Sequence, residues 1–467
     1  MVRKLAGLVA ACLLSAPSLA FAHGGLKSSV PAKGATLNTA PTEIRLVFTE
    51  AAELAFTRVE LRGPGGVIRL GTPSFGGSDK RAVVAPLDAS LVAGLYTVTW
   101  QVAGADGHPV RGTYTFSIAA DASGLVTPPV AAPAAGPGGP EVHHDPETFP
   151  DAGGFNAESP LYVLIRWLQF AAILILTGAI AFHLFVLGFL RKKQRPDSPM
   201  LRPASQQAAN IGFYAALALA LVVVVRLLAQ SYAMHAPGAG FAPALMWAMI
   251  GQTTWGWGWL LQALATFGAI AGFSAARRGS RQGWRIATVS AVLGAFAPAL
   301  SGHAASAPTL RPLAILADGL HIVGASGWLG SLLILLVAGI PAAMRLEKDA
   351  RGPAVADLVN AFSPTALAFA GLTATAGVFA GWLHLGAIPA LWQTQYGRTL
   401  LVKLAILGIV TATGAYNFLY VKPRLGSSDG IKNIRRSATI EVGVAVLVLL
   451  VTAVLVATPT PMDMTRQ

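Results

Sequence analysis

The sequence predicts a multidomain chain, an all-β immunoglobulin-like sandwich followed by an all-α polytopic membrane domain of about eight transmembrane helices. Three observations predict it. Of the 467 residues, 54% are hydrophobic and 12% charged, about half the usual charged share of roughly 25%. Apolar and polar residues alternate with period two between 24 and 120. Beyond residue 160, apolar stretches long enough to cross a bilayer, about 20 residues each, recur to the end of the chain.

Residues 1–22 read as a secretory signal peptide: Arg3 and Lys4 precede the apolar run Leu5 to Leu14, and Ala20-Phe21-Ala22 is a small-x-small cleavage site. Cleavage there makes His23 the new N-terminus. The single cysteine, Cys12, leaves with the signal, so disulfides and thiolate metal sites are excluded.

Residues 23–121 carry the strand patterns, among them Glu43-Ile44-Arg45-Leu46-Val47-Phe48, Leu95-Tyr96-Thr97-Val98-Thr99-Trp100 and Thr113-Tyr114-Thr115-Phe116-Ser117-Ile118. About seven such strands, broken by turns such as Gly63-Pro64-Gly65-Gly66, suit a sandwich. Residues 122–160 have eight prolines, five acidic residues and no Lys or Arg, the composition of a semi-extended acidic tether.

The membrane domain, residues 161–467, has candidate spans at about 161–190, 208–230, 253–274, 286–302, 313–340, 361–387, 399–420 and 437–458. It holds 23 basic against eight acidic residues, the source of the net charge of +13. Seventeen of the basic residues cluster after the first, third, fifth and seventh spans, against Arg311 and Arg398 in the alternate loops. By the positive-inside rule both termini face outward, on the extracytoplasmic side of the membrane. The charge is thus a topology signal that makes the lipid bilayer a partner and implies no nucleic acid.

Ionisable residues inside spans are costly and point to function. Arg166, Arg226, Asp318 and Lys403 fall in the outer half, as do His235, His303, His321 and His384, whereas His183 and Glu441 lie nearer the inner face. Met234, Met246, Met249, Met462 and Met464 share the outward bias. Imidazole and thioether are the thiol-free ligands that suit copper, so His303, Asp318, His321, His384, Met234 and His235 are the candidate membrane copper pathway. Asp318-x-x-His321 sets a carboxylate and an imidazole on one helix face; the plainer alternative is that Asp318 only holds the ring or pairs with a cation. Asp318 and Glu441 are candidate proton relays.

Cleavage creates the strongest constellation. A mature N-terminal His23 offers its α-amine and ring Nδ1 to one ion. In Asp106-Gly107-His108-Pro109, residues two apart on an extended chain share a side, so Asp106 and His108 can reach the same ion. Three nitrogens and one oxygen form the tetragonal set that favours Cu(II). Against this stands the simple reading of Asp106-Gly107 as a turn.

Several segments carry a family resemblance. His23, Ser29-Val30-Pro31-Ala32-x-Gly34, Leu46-x-Phe48-Thr49, Asp106-Gly107-His108-Pro109-Val110 and Thr113-Tyr114-Thr115-Phe116 resemble the CopC family of periplasmic copper-binding proteins. Gly302-His303-Ala304, Asp318-x-x-His321, Gly324-Ala325-x-Gly327-Trp328-x-Gly330, Tyr396-Gly397-Arg398-Thr399-Leu400-Leu401-x-Lys403, Asn417 and Arg436-Ser437-x-x-x-Glu441 resemble its membrane partner family, CopD. The resemblance implies a CopC-CopD fusion: a cupredoxin-like sandwich with Cu(II) on His23, Asp106 and His108, joined to a copper transporter that is not an enzyme. Residues 23–121 contain no methionine, so the Met-rich Cu(I) segment of some family members is missing. Copper passing through the membrane domain would be Cu(I) or Cu(II), and other periplasmic copper carriers are further candidate partners.

The implied role is copper homeostasis or resistance at the inner membrane, with copper ions as the expected partner, the termini on the periplasmic side and import as the expected direction, the tether raising the effective concentration for transfer. No G-x-x-x-x-G-K-[ST] loop is present to couple ATP. Rival readings are a haem-binding membrane electron carrier, a histidine-brace copper monooxygenase, and a copper sensor that moves nothing. Trp255-Gly256-Trp257-Gly258-Trp259 reads as an interfacial anchor, His143-His144 as part of a solvated linker, and His183 as a helix contact.

Overall fold

A computed structural model describes residues 25–88, 90–119, 155–156, 158–194, 197–235, 240–307, 309–422, 428–458 and 460. The signal segment, Cys12, His23, most of the 122–160 tether with His143 and His144, and Met462 and Met464 lie outside the described residues.

Among the described residues, nine strands form two sheets: β1 (Leu26–Val30), β2 (Thr36–Leu37), β3 (Glu43–Phe48), β4 (Arg58–Gly63), β5 (Gly66–Ile68), β6 (Ser74–Phe75), β7 (Ala82–Pro86), β8 (Gly94–Ala103) and β9 (Pro109–Ile118). One sheet has the order β1-β3-β7-β6, the other β2-β9-β8-β4-β5. The two extra strands beyond the expected seven are two-residue edge pieces, too short to show a period. Alternation in β3 sends Ile44, Leu46 and Phe48 inward, to meet Leu61, Tyr96, Val98, Trp100 and Phe116 of the other sheet. Phe48 and Trp100 pack edge to face with centroids 5.2 Å apart. The longest pairing is the β8–β9 hairpin, in register from Gly94↔Ile118 to Ala103↔Pro109. Its tip, residues 104–108, carries Asp106 and His108.

Among the described residues, eight helices are long and apolar enough to cross a membrane: Pro160–Lys192, Leu201–Met234, Thr254–Arg277, Arg281–Leu300, Arg311–Ala343, Lys348–Leu385, Gln395–Val421 and Lys432–Ala457. We call them spans one to eight. The short fourth stretch is a full helix capped by Ser280, whose hydroxyl accepts from Gly283 N–H. Span six starts at Lys348, well before its apolar stretch, because polar residues extend the helix. The loop expected at 231–252 also contains a helix, Pro243–Gln252, which carries Met246 and Met249.

Small residues let the spans approach. A Cβ on Gly178 of span one would stand 2.3 Å from the Gly330 carbonyl carbon of span five, and one on Gly330 would stand 2.3 Å from the Leu174 carbonyl oxygen. Span five turns into π-helix at Ser326–Gly330, where it meets span one, and again at Leu335–Gly339.

The sandwich sits directly on the membrane domain. Phe56 and Ala103 join Leu227, Met234, Met249 and Trp255 in one apolar contact. Gln101 Nε2 donates to the Met234 carbonyl at 2.8 Å, and Thr254 N–H donates to Glu53 Oε1 at 3.0 Å. These contacts correct the reading of the tryptophan run as an anchor: Trp255 is buried under the sandwich, and Trp259 Nε1 donates to the Val223 carbonyl. Trp257 alone of the three is largely exposed. The burial of Trp255 is not legible in the sequence because the surface that covers it comes from another domain.

Candidate metal centre

The site begins at the hairpin tip. Gly107 N–H closes the turn onto the Gly104 carbonyl at 3.0 Å, with Gly107 at φ +71°. Asp106 and His108 therefore share a side through a left-handed turn, and the extended chain expected at this point is corrected. Asp106 Oδ1 accepts from His108 N–H at 3.1 Å, and Asp106 Oδ2 lies 3.0 Å from His108 Nδ1. A carboxylate on Nδ1 sets the ring's orientation and turns Nε2 away from the carboxylate.

The membrane domain supplies the third group. His303 opens the short helix His303–Ser306 between spans four and five. Its ring stacks on His108 with centroids 5.3 Å apart and 13° between planes. Ligand atoms of Asp106, His108 and His303 all lie within 4.8 Å of one another. A metal with bonds of about 2 Å spans about 4 Å between opposite ligands, so small side-chain shifts close this group on one ion. His303 Nε2 is buried and has no hydrogen-bond partner among the described residues; a bound metal ion would supply one.

The electrostatics suit a cation. Burial acts to raise the Asp106 pKa, but the adjoining His108 outweighs it and holds the carboxyl well below the usual carboxylate range. Burial, and then the facing His108, push the His303 imidazole well below its ordinary value. A shift in that direction favours the neutral ring, whose lone pair a metal can use.

Beyond His303 the ligand types continue. The His384 ring, in the last turn of span six, has its centroid 6.1 Å from that of His303. His384 Nε2 lies 3.9 Å from Asp318 Oδ1. One turn along span five, His321 Nδ1 donates to the Thr373 carbonyl at 2.9 Å, leaving Nε2 as its second ring nitrogen. The structure thus brings His303, His384, Asp318 and His321 into succession below the hairpin tip. Met234 and His235 are not part of it. Met234 packs in the apolar contact under the sandwich, and His235 Nδ1 bonds back to the Ser231 carbonyl at 2.8 Å.

Elsewhere in the membrane domain, Glu441 is buried and accepts from Asn417 Nδ2 at 3.2 Å, while Ser437 hydroxyl donates to Asn417 Oδ1. His183 is a packed helix contact, stacked on Trp284 at 3.6 Å with Nδ1 2.9 Å from Ser205 Oγ. Sequence reasoning missed Gln230 and Tyr162 near the site, and met Tyr396 only as part of a family motif. Gln230 Nε2 donates to the Gly107 carbonyl at 2.8 Å, Tyr162 hydroxyl donates to Gln230 Oε1, and the Tyr396 ring stands 6.4 Å from His303. Only the polarity of Tyr162 and Gln230 within apolar stretches hinted at them.

Comparisons with known proteins follow the same division. Family models match at residues 26–119 (CopC domain), 157–311 (Copper resistance protein D-like, N-terminal domain) and 356–455 (Copper resistance protein D). Copper transport protein CutJ of Bacillus subtilis (strain 168) is 26% identical over 457 residues, 96% of this chain and 76% of CutJ. Copper resistance protein C of Xanthomonas campestris pv. juglandis is 39% identical over 120 residues, 24% of this chain and 90% of that protein. The crystal structure of PcoC, a methionine-rich copper resistance protein from Escherichia coli, matches with 31% identity and a TM-score of 0.19, over 21% of this chain and 99% of PcoC.

Proposed function

This chain belongs to the copper-resistance family in which a CopC domain is fused to a CopD membrane domain, and on that premise we propose that it imports copper across the inner membrane by direct transfer from one domain to the other. It is a multi-pass membrane protein that handles copper. In this reading the sandwich captures Cu(II) on the His23 amine and ring with Asp106 and His108, on the periplasmic side. The ion then passes to His303, and through His384, Asp318 and His321 into the membrane domain, with no chemical conversion of a substrate.

The observation that carries the proposal is the convergence of Asp106 and His108 of one domain with His303 of the other, ligand atoms within 4.8 Å. A neutral buried His303 is a ligand on the membrane side of the same gap. Exchange between adjacent imidazoles avoids releasing the ion to water. The unequal loop charges, seventeen basic residues against two, support a periplasmic sandwich.

Copper uptake into proteoliposomes of known orientation tests this. His303→Ala is expected to reduce flux by at least an order of magnitude while the full chain still captures Cu(II). Undiminished flux in His303→Ala, or flux only outward, would overturn the route or its direction.

A further inference from the structure

We infer that Gln230 and Tyr162 of the membrane domain are positioning residues that hold the Asp106–Gly107–His108 turn so that His108 faces His303. This rests on the transfer reading above and adds what aligns the two halves. Gln230 is buried at 1% exposure in span two, and Tyr162 at 0% in span one. The amide of Gln230 is used at both ends. Its Nε2 donates to the Gly107 carbonyl at 2.8 Å, and its Oε1 accepts the Tyr162 hydroxyl. With the hydroxyl proton directed at Oε1, the amide has one orientation, NH₂ toward the turn.

The carbonyl held in this way belongs to the residue between the two ligands. Fixing the Gly107 peptide fixes the direction in which the next residue, His108, leaves the turn. Trp255 closes the other side: a Cβ on Gly107 would come within 2.9 Å of both Trp255 Cδ1 and Gln230 Nε2, so the turn is gripped between them. The grip is braced from below. Arg166 Cζ lies 4.8 Å from the Tyr162 ring centroid, and Arg226 Cζ 5.1 Å from that of Trp255, both arginines buried. Misplacing a reacting group by about 1 Å can cost on the order of 100-fold in rate, which sets the scale for losing this clamp.

The test uses the full chain in lipid nanodiscs loaded with one equivalent of Cu(II), reading the number of imidazoles on copper by pulsed electron paramagnetic resonance. Gln230→Met keeps the volume and removes both bonds. It is expected to lose the His303 contribution, giving the spectrum of His303→Ala, and to slow proteoliposome uptake about tenfold or more while Cu(II) capture persists. Tyr162→Phe, which deletes one hydroxyl, is expected to shift the same signal in the same direction and serves where Gln230→Met does not fold. A wild-type imidazole count in the variants overturns the positioning role. If His303→Ala itself leaves the count unchanged, the shared site fails, and this role with it.

Discussion

Replacing Gly107 by alanine separates the capture of copper from its presentation, because the two costs of the new methyl fall on different equilibria. The left-handed conformation at φ +71° costs a non-glycine residue about 1–2 kcal/mol, and that strain is present whether or not the sandwich is docked. The contacts at 2.9 Å with Gln230 Nε2 and Trp255 Cδ1 exist only when it is docked. Crowding of this kind costs about 1–3 kcal/mol, and displacing Gln230 from the Gly107 carbonyl loses about 1 kcal/mol more. Docking should weaken by about 2–4 kcal/mol, roughly 30- to 700-fold. Gly66→Ala is the control: Gly66 also has positive φ, at +108°, but nothing lies within 4 Å of the added carbon. The assay is a distance distribution between spin labels on cysteines placed at Val67 and Ile388, both exposed; the native Cys12 lies in the predicted signal. Gly107→Ala is expected to broaden the distribution and move it outward, and Gly66→Ala to leave it sharp. A sharp docked distance in Gly107→Ala, equal to that of Gly66→Ala, would refute the claim that the membrane domain grips this turn.

Other consequences follow from the same geometry. Because burial lowers the His303 pKa in the docked state, docking should be at full strength above the ordinary histidine value of 6.5 and weaken as pH falls below it, by up to about tenfold per pH unit; the same spin-label pair, titrated from pH 8 to 5, reports it, and a flat titration contradicts the buried neutral ring. Extending the mature chain by one residue before His23 should weaken Cu(II) binding by orders of magnitude if the amine is a ligand, measured by competition with a chelator of known affinity. Gly178→Leu should lower the thermal midpoint in detergent sharply, since the atoms it meets, Gly330 backbone at 2.3–2.7 Å, cannot move aside as a side chain would. A midpoint equal to wild type would mean spans one and five are not packed backbone to backbone.

Much of the candidate site was legible in the sequence as ligand types, though not its arrangement. Asp106 and His108 stood out as two ligand types around one glycine, and His303, Asp318, His321 and His384 as costly residues in apolar surroundings. Their succession was not legible, because His303 and His384 are 81 residues apart and meet only through the packing of spans five and six. Met234 and His235 satisfied the same composition rule and yet serve other contacts, since ligand type says nothing about direction. Trp255 shows the converse: its apolar ring suited a lipid interface equally well, and only the docked sandwich distinguishes the two.

The sequence by itself determined the two-part architecture, since period-two alternation and stretches of about 20 apolar residues are local consequences of the strand repeat and the bilayer thickness. It also determined the chemistry available, histidine, methionine and carboxylate with one cysteine in the predicted signal. Tertiary structure alone decided that the hairpin tip of one domain rests on the membrane domain with His108 stacked on His303. That contact depends on a left-handed turn, a buried glutamine and a tryptophan contributed by separate parts of the chain, and no local pattern encodes which distant surfaces will meet.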